Sequence, residues 1–434
     1  MLAKNATLVA ILIGLTLSFA PTGVMFELSA VDTGHSAINE HFLGGPPLGP
    51  LLAEGQATQA ASCIDCVVAT LSVGSQPTGL AYDSANGNVY VGNYGGSNLS
   101  IIDGETNTVA GSISVALGAR DVTYVPETSE LYVDIINPGN GLGNTMDVVN
   151  PSTFSLITTI TFGGSDPVSP CYDTLNGYLY VPIHYGNEVE VVNASTYVVA
   201  DSIGVGSYSG SAACDPADGD VYVANQDSDT VSVISGSTNA VIATVPLPAD
   251  SGPYGTAFDA SNGDIYVGDA GTSGNNYAGD TVSVISGSTN SLITTVAVGS
   301  GPDWLAYDSG NGDIYVANSG SNNISVIEGV SNSVVSTIAV GHGPQGILYD
   351  PSSGDIYVAD EGNNDVSVIG SSSPTPQAPG SAAPTLSLLD ILLIVAVIVL
   401  AAAVVVLALR RRKARSGSDP FNPDSPPPPS PQQI

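Results

Sequence analysis

Basic residues are scarce in this 434-residue chain, where seven Lys and Arg stand against 40 Asp and Glu. Six of the seven, Lys4, Arg410, Arg411, Arg412, Lys413 and Arg415, lie near the two ends, leaving Arg120 as the single cation among 37 carboxylates between Glu27 and Asp365. A surface of that sign cannot neutralise phosphates or release their counterions, which excludes nucleic acid as a partner. Four histidines, His35, His41, His184 and His342, show no paired spacing of the kind zinc requires, and no G-x-S-x-G elbow is present. No metal, cofactor or catalytic residue is expected. Four cysteines remain. Cys63 and Cys66 form CIDC, but a redox CxxC needs a helix N-terminus to lower its thiol pKa, and a strand-like segment follows here. Either a local disulfide or no bond is expected there. Cys171 and Cys214 stand singly and are expected to pack as small apolar groups.

What the chain has is 50 glycines and 43% hydrophobic residues, a composition of short strands and tight turns. The class is all-β. Strand tyrosines recur at Tyr90, Tyr132, Tyr180, Tyr222, Tyr266, Tyr315 and Tyr357, with spacings of 42, 48, 42, 44, 49 and 42 residues. A period in the forties with four short apolar segments per unit marks a β-propeller blade. In the unit that starts at Gly301 the segments are DWLAYD, DIYVAN, NISVIE and SVVSTIAV, designated A to D. The first segment of the chain, Val67–Val73, matches D, and the last, Val366–Ile369, matches C. The mismatch at the ends predicts seven blades over residues 63–370, closed when the N-terminal strand completes the last blade and removes an exposed edge. Segment B is apolar at nearly every position, whereas C alternates with serine.

The flanks differ in kind. Lys4 and the apolar run Ala6–Ala20 predict a secretory signal or N-terminal anchor over residues 1–30, followed by an irregular segment over 31–62. Residues 371–385 form a Pro/Ser linker. Within residues 386–409, Ile391–Leu409 is an unbroken apolar run of bilayer length followed by RRRK, which predicts a single transmembrane helix with the basic, disordered tail 410–434 in the cytoplasm and the ring outside.

YVGN at Tyr90–Asn93, YVAN at Tyr222–Asn225 and Tyr315–Asn318, and the YVGD and YVAD variants resemble the YVTN repeat of seven-bladed propellers, as does VGHGPQGILYDPSSGDIYVAD. The resemblance covers residues 63–370, and the second and third blades depart from it with LYVDII and LYVPIH. Such proteins occur on archaeal cell surfaces and in bacterial periplasms. The resemblance implies an innermost A strand and a binding, adhesion or cell-envelope structural role, with a protein or glycan partner at the cell surface. It supplies no universal active-site motif. A lactonase-like or other hydrolase propeller, with its site at the channel mouth, is the alternative.

Three sets of residues are candidates for function. The motif D-x-x-x-G-[DN] recurs at Asp83, Asp215, Asp259, Asp308 and Asp350, but its short spacing suits a hairpin turn better than calcium. Asn98, Asn193 and Asn323 head N-x-S sequons that an extracellular location would open to glycosylation. Third, the turn V-G-x-x-P-x-G entering segment A holds a different residue in each blade at its penultimate position: Thr78, Arg120, Val168, Gly210, Tyr254, Asp303 and Gln345. The only tryptophan, Trp304, follows Asp303. Variation over a repeated frame is how loops acquire specificity, so Thr78, Arg120, Tyr254, Asp303, Trp304 and Gln345 are the ligand-face candidates. Mutual repulsion among the carboxylates is expected to raise many of their pKa values in the folded ring.

Overall fold

Tyrosine at the second or third position of every B segment is the anchor around which each blade is built. The computed structural model describes residues 15–20, 23–28, 63–137, 139, 142–272 and 278–372, with side chains within residues 65–370. Residues 59–434 contain seven four-stranded antiparallel sheets, each ordered A-B-C-D from the inside outward. In the sixth blade these strands are Pro302–Asp308, Asp313–Asn318, Asn323–Glu328 and Ser333–Ala339. A strands of successive blades lie side by side, the seventh against the first, and so line a central channel. The protein is a seven-bladed β-propeller.

Packing occurs at the seams between blades. Seven buried clusters are found among the described residues, one per seam. At the fourth seam Tyr222, Val231 and Val233 meet Ile265, Val267 and Ile285 of the next blade. All seven strand tyrosines are fully buried, and several phenols reach the turn between C and D of the following blade: Tyr180 to Asn239 Oδ1 at 2.9 Å, Tyr222 to Asn290 at 3.0 Å and Tyr266 to Asn332 at 2.7 Å. Burying so large a ring is favourable only if its hydroxyl is paired, and these asparagines, each at positive φ, supply the acceptor.

The seam between the last and first blades has the same chemistry. The N-terminal strand Cys63–Ser72 pairs antiparallel with Asp365–Ser372 and completes the seventh sheet, four residues longer at its start than Val67–Val73. C segment Asp365–Ser372 also runs two residues into the expected linker. Tyr357 of the last blade bonds Asn107 of the first, and Tyr315 bonds Asp65 at 3.2 Å. Asp65 has φ +56°, like the turn asparagines it replaces.

Two expectations are corrected. Segment C is buried at four consecutive positions, and its serine faces inward because the last residue of B bonds it. Asn93, Asn225 and Asn318 donate to Ser100, Ser232 and Ser325 at 3.0 Å, while Asp269 and Asp360 accept from Ser283 at 2.9 Å and Ser367 at 2.6 Å. This pairing explains the final N or D of the strand motif. Cys171 and Cys214 are not isolated apolar groups but a disulfide, with Cα atoms 5.7 Å apart. Adjacent inner strands bring them together, and the bond ties Cys171–Asp173, the shortest A strand, to its neighbour. Cys66 is disulfide-bonded, whereas the side chain of Cys63 lies outside the described residues.

The turn motif also has a clear role. Asp83, Asp215, Asp259, Asp308 and Asp350 each accept the N–H two residues on, at 2.7–2.9 Å, and the glycine two residues further has φ between +74° and +84°. These are Asx turns. In a separate unit, Met1–Thr58, strands Leu15–Ala20 and Gly23–Leu28 form a hairpin. No helix among the described residues is long and apolar enough to cross a membrane, and Ile391–Leu409, the remaining linker and the tail lie outside them.

A chain that begins at Gly74 loses the closing strand, the Asp65 acceptor and the seal on the last sheet edge. It is expected to aggregate or to melt well below the full ring in a calorimetric scan; an unchanged melting point would refute closure by this segment. Replacing Cys171 and Cys214 together by serine frees a loop spanning a sequence separation of 43 and is expected to cost about 4 kcal/mol at most, read from the denaturant midpoint under oxidising conditions.

Candidate functional site

The inner end of each A strand is where the sequence repeat breaks down, and there the variable residues meet. At the final position of V-G-x-x-P-x-G the blades carry Gly79, Asp121, Ser169, Ser211, Gly255, Trp304 and Gly346. A Cβ at Gly255 would stand 1.9 Å from Asp303 O and one at Gly346 2.0 Å from Thr78 O, so in those two blades the inner strands crowd too closely for a side chain. Blade six has a shorter bulge. Trp304 is in the ladder opposite Ala317, whereas the equivalent Gly255 lies in a bulge between Pro253 and Thr256. The indole therefore turns into the channel.

Two polar contacts cross the axis. Trp304 Nε1 donates to Ser169 Oγ of the third blade at 3.3 Å. Arg120 of the second blade donates through Nη2 to the Tyr254 hydroxyl of the fifth and through Nη1 to Asp166 Oδ1 at 3.3 Å, with Nε 3.9 Å from Asp121 Oδ2. Tyr254 packs edge-on against Trp304 at a centroid distance of 5.2 Å. Together they form a floor across the channel. On one side is a cavity of about 330 Å³ lined by Asp121, Ser211 and Thr256, and on the mouth side one of about 260 Å³ lined by Arg120, Tyr254, Asp303, Trp304, Gln345 and Gln226.

Arg120 stays charged: burial opposes its cation, but Tyr254 and the carboxylates of Asp121, Asp166 and Asp134 raise its pKa further. One guanidinium cannot satisfy three carboxylates. Burial pushes Asp166 up to about 6, and Asp134, wholly enclosed with neither oxygen hydrogen-bonded to the described protein, is raised well above the carboxylate range by burial and by Asp121. Burial also holds Asp303 near 6, and the Ser319 hydroxyl moderates the rise. The cause of these shifts is burial first and repulsion second, unlike the sequence expectation.

Of the six ligand-face residues, Arg120, Tyr254, Asp303, Trp304 and Gln345 come together at the mouth. Thr78 does not: it is buried and donates to Arg120 O at 2.7 Å, bracing two inner strands. Val168 is buried, and a Cβ at Gly210 would lie 2.5 Å from Tyr254 O. Asn98, Asn193 and Asn323 are half-buried at strand C ends, and the side-chain oxygens of Asn193 and Asn323 accept hydrogen bonds from Thr196 N and Asn318 Nδ2, both at 2.9 Å.

Sequence reasoning missed a second variable ring. The residue after the strand B motif reads Tyr94, Ile136, His184, Gln226, Ala270, Ser319 and Glu361, again seven different residues, and three of them line the mouth cavity. Aligning one position beyond YVxN exposes it. Asp134 was legible in the same way, since the other blades hold Gly92, Pro182, Ala224, Gly268, Ala317 and Ala359 at that position. His184 begins an aromatic track. It packs edge-on against Tyr185 at 4.8 Å, Tyr208 at 4.9 Å and Tyr254 at 6.1 Å, and its Nδ1 donates to Ser209 O at 2.9 Å. Burial lowers its pKa, so the imidazole is neutral. Among the described residues no group of three or more His, Cys, Asp or Glu is placed to hold a metal ion.

No protein-family model matches the chain, and no curated protein does. Solved structures do. A chain of Kuenenia stuttgartiensis hydrazine synthase superposes with a TM-score of 0.60 at 16% identity, covering 69% of this chain and 97% of that one. A streptogramin B lyase structure superposes with a TM-score of 0.57 at 14% identity, covering 71% and 97% respectively. At these identities the likeness is one of fold.

The raised carboxylates give stability a defined pH dependence. Besides Asp303 and Asp166, burial pushes Asp269 up to about 7 and Asp360 to about 6. Each contributes stability that is fully present below an unfolded pKa of about 3.9 and is lost as pH rises through the folded value. The melting temperature is therefore expected to fall between about pH 4 and pH 8. Changing Asp269 and Asp360 to Asn, as at the equivalent Asn93, Asn225 and Asn318, should flatten that fall in calorimetric scans. A melting temperature that climbs steadily with pH would contradict this.

Proposed function

We propose that the ring is an extracellular binding module of YVTN type, displayed on a C-terminal membrane span at residues 386–409 and recruiting a cell-surface protein or glycan at its channel mouth. The observation that carries this reading is the convergence of positions that differ in all seven blades on one polar, aromatic cavity. A frame that needs only to close would repeat those residues, as it repeats its tyrosines and turn aspartates. The Cys171–Cys214 disulfide suits an oxidising compartment outside the cytoplasm. The apolar run Ile391–Leu409 and the RRRK that follows support the anchor and its orientation.

A hydrolase with its site at the same mouth is the weaker reading. The histidine nearest the cavity, His184, is buried, bonded to a backbone carbonyl and packed among rings rather than beside a nucleophile. Asp303 lines the same cavity with its pKa near 6, but no histidine or cysteine among the described residues joins it in the lining to make a nucleophile–base pair.

The test is a thermal-shift screen of the full chain against saccharides, peptides and small polar molecules, followed by titration of each hit. Gln345→Ala or Asp303→Asn is expected to weaken a genuine ligand by about tenfold or more, a loss of about 1.4 kcal/mol, while Glu105→Ala on the opposite end of the first blade leaves it unchanged. Arg120→Ala is a poorer probe, because removing the cation strands buried carboxylates and destabilises the ring. Hits sensitive only to Glu105 would remove the mouth from consideration.

A further inference from the structure

The chemistry of the groups that line the mouth narrows the ligand. The charge of Arg120 is already offset: its Nη1 and Nη2 donate to Asp166 and Tyr254, and its Nε stands 3.9 Å from Asp121. A carboxylate or phosphate would have to compete with these neighbours, and the carboxylate-rich surface around the mouth repels anions. A cationic ligand fits poorly too, since it would meet the guanidinium in the cavity wall and offer no acceptor to the amide donor of Gln345. Gln345, Gln226, Ser319, Asp303 and the Tyr254 hydroxyl offer donors and acceptors in mixture around one small space. Hydroxyl groups, which donate and accept at once, are what such a wall satisfies.

The aromatic side chains point the same way. From the cavity the rings continue outward from Trp304 through Tyr254 and His184 to Tyr208 and Tyr185, which are 37% and 49% exposed. Tyr185 and Tyr208 brace each other edge-to-face at 5.4 Å, so their orientation is fixed before anything binds. Tyr208 is also held at φ +55°, at a turn position where four blades have Gly118, Gly252, Gly301 and Gly343 and two others have Gln76 and Asp166 at φ +50° and +70°. A bulky side chain in the left-handed region is strained, and an aromatic ring kept there marks a position retained for something other than the turn. Exposed, pre-oriented rings present negative π faces to weakly positive C–H bonds.

We propose that the mouth cavity takes one ring of a neutral carbohydrate, with Tyr185 and Tyr208 forming the platform over which the next sugar unit runs. This rests on the mouth being a binding site and adds the class of ligand. The cavity, about 260 Å³, is smaller than the roughly 300–1,000 Å³ of sites for larger ligands, which limits its occupant to a single ring. Asp303 and Gln345 clamp hydroxyls, Trp304 and Tyr254 close the floor, and a glycan chain leaves along the exposed tyrosines.

Trp304 is the only tryptophan in the chain, so its fluorescence reports this cavity alone. The full chain is titrated with methyl glycosides of glucose, galactose, mannose and N-acetylglucosamine and with the corresponding disaccharides, up to about 10 mM, beyond the ~1 mM dissociation constant of a weak complex. Tetramethylammonium chloride and inorganic phosphate serve as cationic and anionic probes. At least one sugar is expected to change the emission saturably, and Gln345→Ala should weaken it about tenfold. Tyr208→Ala should weaken a disaccharide more than its monosaccharide. Tyr208→Gly, which relieves the backbone, separates loss of the ring from loss of the turn, and it should behave as the alanine variant does. A saturable response to tetramethylammonium or phosphate with none to any sugar would overturn the carbohydrate assignment and leave the binding site standing. Silence from every probe would overturn it as well, and only the wider screen failing at the same mouth would take the binding reading with it. Sugar binding indifferent to both substitutions would also refute it.

Discussion

Ring closure is the constraint on which everything else depends, because seven twisted sheets must meet at seven seams with no remainder. Each seam buries one side of a sheet whose other side is buried at the next, so no blade is stable without both neighbours. The interaction repeated to achieve this is a buried tyrosine whose hydroxyl finds an acceptor on the following blade, as Tyr266 does on Asn332. Most deviations from that unit fall in the second and third blades, where isoleucine replaces the strand-end Asn at Ile135 and Ile183 and the third A strand shrinks to three residues. The disulfide between Cys171 and Cys214 lies at that weak point.

The frame was readable in the sequence because it is written seven times. Tyrosine spacing gave the blade count, and a lone D segment at the start with a missing one at the end gave the closure. What escaped were interactions between positions whose proximity depends on how close the inner strands come. Two cysteines 43 residues apart look independent until adjacent A strands place their Cα atoms 5.7 Å apart. The C-strand serines look like the solvent side of an alternating strand, yet the Asn or Asp ending strand B needs a partner and finds one there.

The site was half legible for the same reason. Variation at the penultimate turn position picked out Arg120, Tyr254, Asp303 and Gln345, which meet at the mouth, whereas Thr78 is buried and braces a neighbouring strand. The ring from Tyr94 to Glu361 was overlooked although it follows the most conspicuous motif in the chain. Asp134 stands out at a position where the other blades hold Gly, Pro or Ala, but its role, like that of Asp166, comes from sharing a single guanidinium in an enclosed space, which no pattern shows. The one cation of the ring is not a free surface charge but the centre of a largely buried network that spans the channel from the second blade to the fifth.

The closing strand also fixes how the ring responds to force. Cys63 pairs with Ser372, so the chain enters and leaves the propeller at neighbouring points on one end of the last sheet, in antiparallel strands. Tension between the two flanks pulls that pair apart one rung at a time, in the manner of a zipper, rather than shearing all its hydrogen bonds at once. Tension applied through only one flank and the channel mouth instead loads Asp365–Ser372 against both of its neighbouring strands and the body of the ring behind them. A propeller held by its C-terminal side and loaded at the mouth is thus mechanically strong, whereas the same propeller inserted in series between two anchors is a weak link.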